Sequence, residues 1–277
     1  MVRMGDVWDR TTDVLSGRGR TLAGIAALAI FLPGVVRTAY SLYVGKDTPA
    51  TALLGGLIAI IASLAAVWCQ LTLIALSTDP ATTEPQAGAV GRARLLPTIG
   101  VGLLIGIVFG LFLLPIFIAL VGAGWSPEAM QAGQMPTLSS GQAGFIGLYG
   151  LLYAILALWV AARLALWTAV MVNERLGIGA IRRSFALTRG ITWRIIGVFV
   201  LYLVVLGISF SAARAVTGVV FGLILGIGAK ATVGFLAAVA GGAVAAAFST
   251  VAAVFTAQLY VATRVGPAAS AGTPFDV

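Results

Sequence analysis

The chain has 277 residues, 60% of them apolar and 9% charged, with a formal net charge of +8 and no histidine. A soluble domain is roughly 45 to 50% apolar, and apolar runs recur here from Thr21 to Thr263 with no polar stretch long enough to fold in water, so the composition excludes a soluble fold and specifies one integral membrane domain. The basic excess does not point to nucleic acid, because the arginines end apolar runs instead of alternating with exposed aromatics, and the single cysteine, Cys69, excludes an intrachain disulfide or a thiolate metal cluster.

Residues 1–20 carry Arg3, Arg10, Arg18 and Arg20 together with Asp6, Asp9 and Asp13. That leader is long and acidic for a signal peptide, and no small-x-small cleavage site follows it. It reads as a cytoplasmic N-terminal segment. Crossing a ~30 Å hydrocarbon core takes about 20 apolar residues in a helix, and the apolar runs predict spans over 21–43, 51–77, 98–122, 143–171, 193–213 and 231–263. The stretch 215–229, AVTGVVFGLILGIGA, has only fifteen residues. It suits a re-entrant piece, an interfacial piece or an extension of span five better than a crossing. Residues 265–277 read as a disordered cytoplasmic tail.

Short cytoplasmic loops retain lysine and arginine. With six spans and the N-terminus inside, the inner side receives Arg3, Arg10, Arg18, Arg20, Arg92, Arg94, Arg175, Arg182, Arg183, Arg189, Arg194 and Arg264, twelve of the seventeen basic residues, while outer loops receive Lys46 and Lys230. The bias predicts a multi-pass protein of the inner (cytoplasmic) membrane with both termini cytoplasmic. A seventh crossing at 215–229 would carry Arg264 outward.

Residues 173–194, NERLGIGAIRRSFALTRGITWR, hold five arginines. On a helical wheel Arg175, Arg182 and Arg189 form one stripe with Arg183 beside it, and Ile178, Ile181, Phe185 and Leu187 fall opposite. The pattern predicts a basic amphipathic surface helix before span five, where anionic head groups attract each arginine by about 1 kcal/mol, with Gly190 as its C-cap and Trp193 as an interfacial aromatic. The charges either fix topology and hold a loop helix on the bilayer, or recognise a phosphate head group or a partner. Earlier, GAVGR at 88–92 precedes span three as GAIRR at 179–183 precedes span five. This is either a weak repeat of span, surface helix and span, or a chance likeness between alanine- and glycine-rich stretches.

All nine carboxylates, Asp6, Asp9, Asp13, Asp47, Asp79, Glu84, Glu128, Glu174 and Asp276, lie in loops or at span ends, which argues against ion coupling at the midplane. Without histidine or a carboxylate pair, intramembrane hydrolysis and metal catalysis lack their parts, so no enzyme, metal or cofactor is expected. Arg37 and Arg214 sit near outer ends and can snorkel. Arg163 is eight residues before Met171, about 12 Å inside the boundary of a continuous helix, and needs a partner: a carbonyl or side chain of a neighbouring span, water, or a lipid phosphate. Two glycine series, Gly102, Gly106, Gly110 and Gly218, Gly222, Gly226, repeat every four residues and predict close helix packing within the bundle or a homodimer seam.

Arg163, Glu174, Gly177, Arg183-Ser184, then Leu187, Thr188, Arg189, Gly190, Trp193 and Arg194, with a closing LYVATR at 259–264, form a pattern that resembles the membrane domain named after glycerophosphoryl diester phosphodiesterases and similar uncharacterised six-helix inner-membrane proteins. The six-span plan covers most of the chain, and the specific motif about 35 residues. The resemblance implies a fold and not the named activity, whose histidines and metal-binding carboxylates belong to a separate soluble barrel for which this chain has neither histidine nor room.

The residues together specify an all-α polytopic bundle: a non-enzymatic membrane protein that binds lipid or a partner in envelope maintenance, or alternatively a transporter or flippase-like carrier of anionic or amphipathic solutes. Candidate contacts for an anionic ligand or lipid are Arg163, Glu174, Arg182, Arg183, Ser184, Arg189, Trp193 and Arg194. The expected partners are anionic lipid head groups, a second copy or another membrane protein, and not nucleic acid.

Overall fold

The computed structural model describes residues 2–45, 48–126 and 137–264. Among these, the elements in chain order are α1 (Met4–Tyr43), α2 (Pro49–Thr78), α3 (Glu84–Gly122), α4 (Ser140–Arg163), α5 (Trp167–Asn173), α6 (Gly179–Leu187), α7 (Thr192–Leu225) and α8 (Lys230–Arg264). The fold is all-α, and six segments, with α4 and α5 counted as one, are long and apolar enough to cross a membrane. The protein is a multi-pass membrane protein. Lys46, Asp47, Glu128, Asp276 and the tail at 265–277 fall outside the described residues.

Helix starts are set by short polar signals. Thr48 and Thr51 bond reciprocally, backbone to side chain, at 3.1 and 3.2 Å before α2, and Ser139 and Gln142 do the same at 3.0 and 3.3 Å before α4. The Thr83 N–H donates to Gln86 Oε1 at 3.0 Å before α3. Each bond satisfies a donor that the first helical turn leaves without a partner.

Two helices outrun the hydrocarbon. α1 with 40 residues and α3 with 39 are each about 60 Å long at 1.5 Å per residue, twice a bilayer core. Residues 4–20 and 84–97 are therefore helical extensions of spans at one end of the bundle, not separate loops. Within α1 the backbone widens to a π-turn over Ala27–Phe31, just before Pro33. The proline ring crowds the carbonyl four residues back and donates no bond, and the wider turn accommodates both effects.

Three expectations are corrected, and one choice that the sequence left open is decided. GAVGR lies inside continuous α3, so the span, surface helix, span repeat is not seen. A Cβ at Gly91 would stand 2.5 Å from Thr72 Oγ1, and one at Gly88 3.5 Å from the Trp68 ring, while Trp68 Nε1 donates to the Gly88 carbonyl at 3.1 Å. These glycines seat α3 on α2. Second, of the readings left open for 215–229, the structure takes the extension of span five: α7 runs on to Leu225 and ends at Gly226 with φ +75°. Third, α4 stops at Arg163 and restarts at Trp167 instead of running to Met171. Fourth, the glycine series pack less than predicted: a Cβ at Gly106, Gly110 or Gly222 would meet nothing within 4 Å, Gly102 reaches only Trp167 at 3.5 Å and Gly218 only Ala237 at 4.0 Å, and Gly226 terminates a helix.

α8 packs on α7, α2 and α1, and α2 on α3; α4 bridges α3 and α7. Fully buried side chains gather at one end: Val7 and Leu22 of α1, Leu71 to Ile74 of α2, Met171 of α5, and Val254, Leu259 and Tyr260 of α8. At the other end the side chains are more exposed, and the helices are tied by fewer polar bonds, among them Tyr149 Oη to the Phe112 carbonyl at 2.8 Å and Tyr40 Oη to the Thr51 carbonyl at 2.7 Å. Leu111, Phe112, Leu113 and Leu114 cover most of the circumference of α3, and all four are more than 40% exposed. Six traverses bring residues 2 and 264 to the closely packed end, which also carries the twelve arginines assigned to one side by the sequence. It is called the basic end below.

Candidate functional site

At the basic end the broken helix α4–α5 meets α6. The chain around the break, RLALW at 163–167, contains neither glycine nor proline, and its cause lies on α6. Ser184 Oγ donates to the Arg163 carbonyl at 2.8 Å and accepts from the Leu166 N–H at 3.2 Å. One buried hydroxyl thereby partners both an acceptor and a donor that the break releases. Thr188 Oγ1 donates to the Ser184 carbonyl at 2.9 Å and lies 3.3 Å from the Arg163 carbonyl.

The contact is returned in the opposite direction. Arg163 Nη1 donates to the Phe185 carbonyl at 3.0 Å, near the end of α6. The guanidinium carbon sits 5.4 Å from the centroids of both the Trp159 and Phe185 rings. Two aromatic faces and a carbonyl suit a cation in a low-dielectric setting. Its Nε is buried and has no hydrogen-bond partner. Of the partners the sequence left open for Arg163, the structure supplies a neighbouring carbonyl.

A second cluster joins α5, α6 and α8. The chain reverses after α5 through Arg175 and Gly177, with φ +57° and +55°. Glu174 is left where its carboxylate accepts from Arg183 Nε at 2.9 and 3.2 Å and from the Tyr260 hydroxyl at 2.9 Å. Tyr260 is fully buried. A third tie runs from Arg194 Nη1 to the Val2 carbonyl at 2.9 Å, fixing the start of α7 against the start of α1.

The predicted surface helix is shorter and turned relative to expectation. It covers Gly179–Leu187, so Arg175 and Arg189 flank it and do not continue its stripe. Its buried line is Ala180, Ser184 and the capping Thr188, spaced by four residues, because the inward face must donate hydroxyls to the broken helix. Ile178 is 68% exposed, and Gly190, φ +85°, follows the Thr188 cap instead of forming it.

Of the sequence-predicted contacts, Arg163 and Ser184 meet in one network and Glu174 and Arg183 in another. Arg182, Arg189 and Trp193 enter neither. Arg175, Arg182 and Arg189 are exposed, and their side chains have no partner among the described residues. Beside them Trp193 is 79% exposed, and Leu176 and Ile178 are exposed too. Sequence reasoning missed Trp159 and Phe185 as the cage around Arg163: Trp159, four residues before it on the same helix, was legible as a neighbour, whereas Phe185, twenty-two residues after, gave no local signal. Arg214, read as a snorkelling anchor, lays its stem over Gly241 of α8, where a Cβ would stand 2.9 Å from Arg214 Cγ, with its guanidinium 5.6 Å from the Phe210 ring.

Among the described residues no group of three or more His, Cys, Asp or Glu side chains could hold a metal ion. The hydroxyls and the carboxylate of both networks bond to backbone groups, to a counter-charge and to one another, ties that join α4, α5, α6 and α8. No protein-family model, no curated protein and no solved structure matches the chain.

Proposed function

We propose that this membrane protein is a non-enzymatic module of the inner membrane, its basic end cytoplasmic, that gathers anionic lipid head groups in envelope maintenance. The observation that carries the reading is the exposed group of Arg175, Arg182 and Arg189 beside exposed Trp193, Ile178 and Leu176. Unpartnered guanidinium groups next to exposed apolar and indole side chains match the boundary between head groups and acyl chains. Each arginine near an anionic surface contributes about 1 kcal/mol.

We further propose kinship with the six-helix membrane domain named after glycerophosphoryl diester phosphodiesterases. Support comes from the roles of the motif residues: Arg163, Glu174, Arg183, Ser184, Thr188 and Arg194, with Tyr260 of LYVATR, make the ties between helices at this end. Such a motif specifies a fold, and ligand contacts then fall to the neighbouring unpaired arginines.

The test is native mass spectrometry of protein released from nanodiscs containing equal phosphatidylglycerol and phosphatidylcholine. Wild type is expected to retain phosphatidylglycerol preferentially, and a variant with Arg175→Gln, Arg182→Gln and Arg189→Gln to lose that preference. An unchanged preference in a folded triple variant would overturn the reading.

A further inference from the structure

A cleft of about 500 Å³ opens at the basic end between α1, the end of α2 and α8. Arg10, Asp13, Gly17 and Arg18 contribute from one face of α1, Ser77 from α2 and Gln258 from α8. Two of these side chains build the walls. Arg18 donates to the Leu76 carbonyl at 3.0 Å, the Thr82 carbonyl at 3.4 Å and the Pro80 carbonyl, covering the negative end of α2, which has no basic residue in its last turn. Gln258 Nε2 donates to the Ser77 carbonyl at 2.6 Å.

Three polar groups of the cleft remain unused. Ser77, only 2% exposed, has a buried hydroxyl with no partner, although a helical serine ordinarily bonds a carbonyl one turn back, as Thr78 does to Ile74 at 2.7 Å. Arg10 and Asp13, both exposed and three residues apart on the cleft face of α1, form no ion pair with each other or with another described residue. A guanidinium and a carboxylate with no partner thus line one cavity, with Ser77 in its wall.

Charge narrows the ligand. A simple anion would face Asp13 and the carbonyl-rich end of α2, and a simple cation would face Arg10 and Arg18. A ligand bearing both signs satisfies both sets. We propose that the cleft binds a zwitterionic aminophosphate head group, a phosphate ester carrying a primary ammonium, with the phosphate against Arg10 and the ammonium against Asp13. Gly17 lies in the cleft wall, where an added Cβ would enter open space and meet nothing within 4 Å. Val14 and Val261 give the cleft an apolar wall along which the glycerol and first methylenes of a lipid can lie. The site is separate from the patch around Arg182 and does not depend on the role proposed for it.

The experiment titrates the full chain in detergent with dihexanoyl phosphatidylethanolamine, phosphatidylglycerol and phosphatidylcholine, and with free phosphoethanolamine, and reads binding by native mass spectrometry. Phosphatidylethanolamine is expected to bind at least tenfold more tightly than the other two lipids, because glycerol lacks the positive charge and a quaternary ammonium cannot donate to Asp13. Arg10→Gln and Asp13→Asn, both at exposed positions, are each expected to weaken it at least fivefold. Gly17→Leu projects a branched side chain from α1 into the cleft and is expected to weaken binding at least tenfold with the unfolding temperature retained. Competition by free phosphoethanolamine at similar strength would name a soluble solute as the source of the head group. Failure to compete while the lipid binds would name the membrane. Equal binding of phosphatidylglycerol, no effect of Asp13→Asn, or undiminished binding in folded Gly17→Leu would each overturn the proposal.

Discussion

Ser184 donates its hydroxyl to the carbonyl of Arg163 at 2.8 Å, while the guanidinium of the same arginine reaches back to the carbonyl of Phe185, the residue after that serine. Each helix end is closed by a side chain of the other. The pairing makes the break in span four a property of two elements together.

Ser184→Ala removes the partner of the Leu166 N–H and the shorter of two bonds to the Arg163 carbonyl, leaving buried backbone groups under-satisfied. A loss of about 1–3 kcal/mol is expected. The unfolding temperature in detergent should fall, while the lipid preference of the exposed arginines should be retained. An unchanged melting profile would show that the break holds without the serine.

Arg163→Lys keeps the charge but gives up the flat cation between Trp159 and Phe185 and the geometry of its bond to the carbonyl. It should destabilise by about 1–2 kcal/mol, the scale of a desolvated cation–π contact together with a charge-assisted hydrogen bond. Arg163→Met, which fills the space without charge, separates packing from electrostatics. If it equals wild type in thermal unfolding, the cage needs volume alone.

Glu174 serves two partners of unequal surroundings. The Arg183 and Glu174 side chains are 41% and 21% exposed, so solvent screening limits that pair to about 1 kcal/mol or less. The Tyr260 bond comes from a fully buried phenol. Tyr260→Phe is therefore expected to destabilise at least as much as Arg183→Gln. A double-mutant cycle of Tyr260→Phe with Glu174→Gln should show a coupling of about 0.5–1.5 kcal/mol, and additivity would dissolve the network.

Gly91→Val should separate α2 from α3, because a Cβ there already stands 2.5 Å from Thr72 Oγ1. By contrast, Gly106→Ala enters open space and should be neutral or stabilising by about 0.5–1 kcal/mol through helix propensity. Paired melts of the two variants check the contrast. Destabilisation by Gly106→Ala would locate a packing partner outside this chain, as a homodimer seam requires.

Hydropathy made the six crossings legible because moving apolar side chains from water into hydrocarbon dominates the energetics of a membrane chain. It located the apolar core of each helix and missed the ends, which are written in smaller signs: TPAT at 48–51, TEPQ at 83–86 and SSGQ at 139–142. Those capping patterns would have moved the start of α3 back to Glu84. The break after Arg163 had no local sign, since its cause arrives from Ser184 on another helix. Repetition of glycine every four residues proved a poor guide to contact within the chain. Gly91 and Gly241 lie under neighbouring side chains while Gly106, Gly110 and Gly222 do not, and which face meets a neighbour is a tertiary fact. For the candidate site, the wheel found the unpaired arginines but misassigned the buried face of α6, where hydroxyls outrank the larger apolar residues.

The uneven burial along the helices gives the bundle a graded stiffness. Its basic end is cross-braced by hydroxyl, guanidinium and carboxylate ties, whereas past the midpoint α3, α4 and α7 present leucine, isoleucine and valine on nearly every side. A thinner or thicker bilayer is then expected to be met by tilting at the less tightly tied end, at a cost of fractions of a kcal/mol per ångström, with the braced foot as the pivot. The leucine, isoleucine and valine side chains left exposed there are then expected to be covered by acyl chains, so that lipid tails complete the packing.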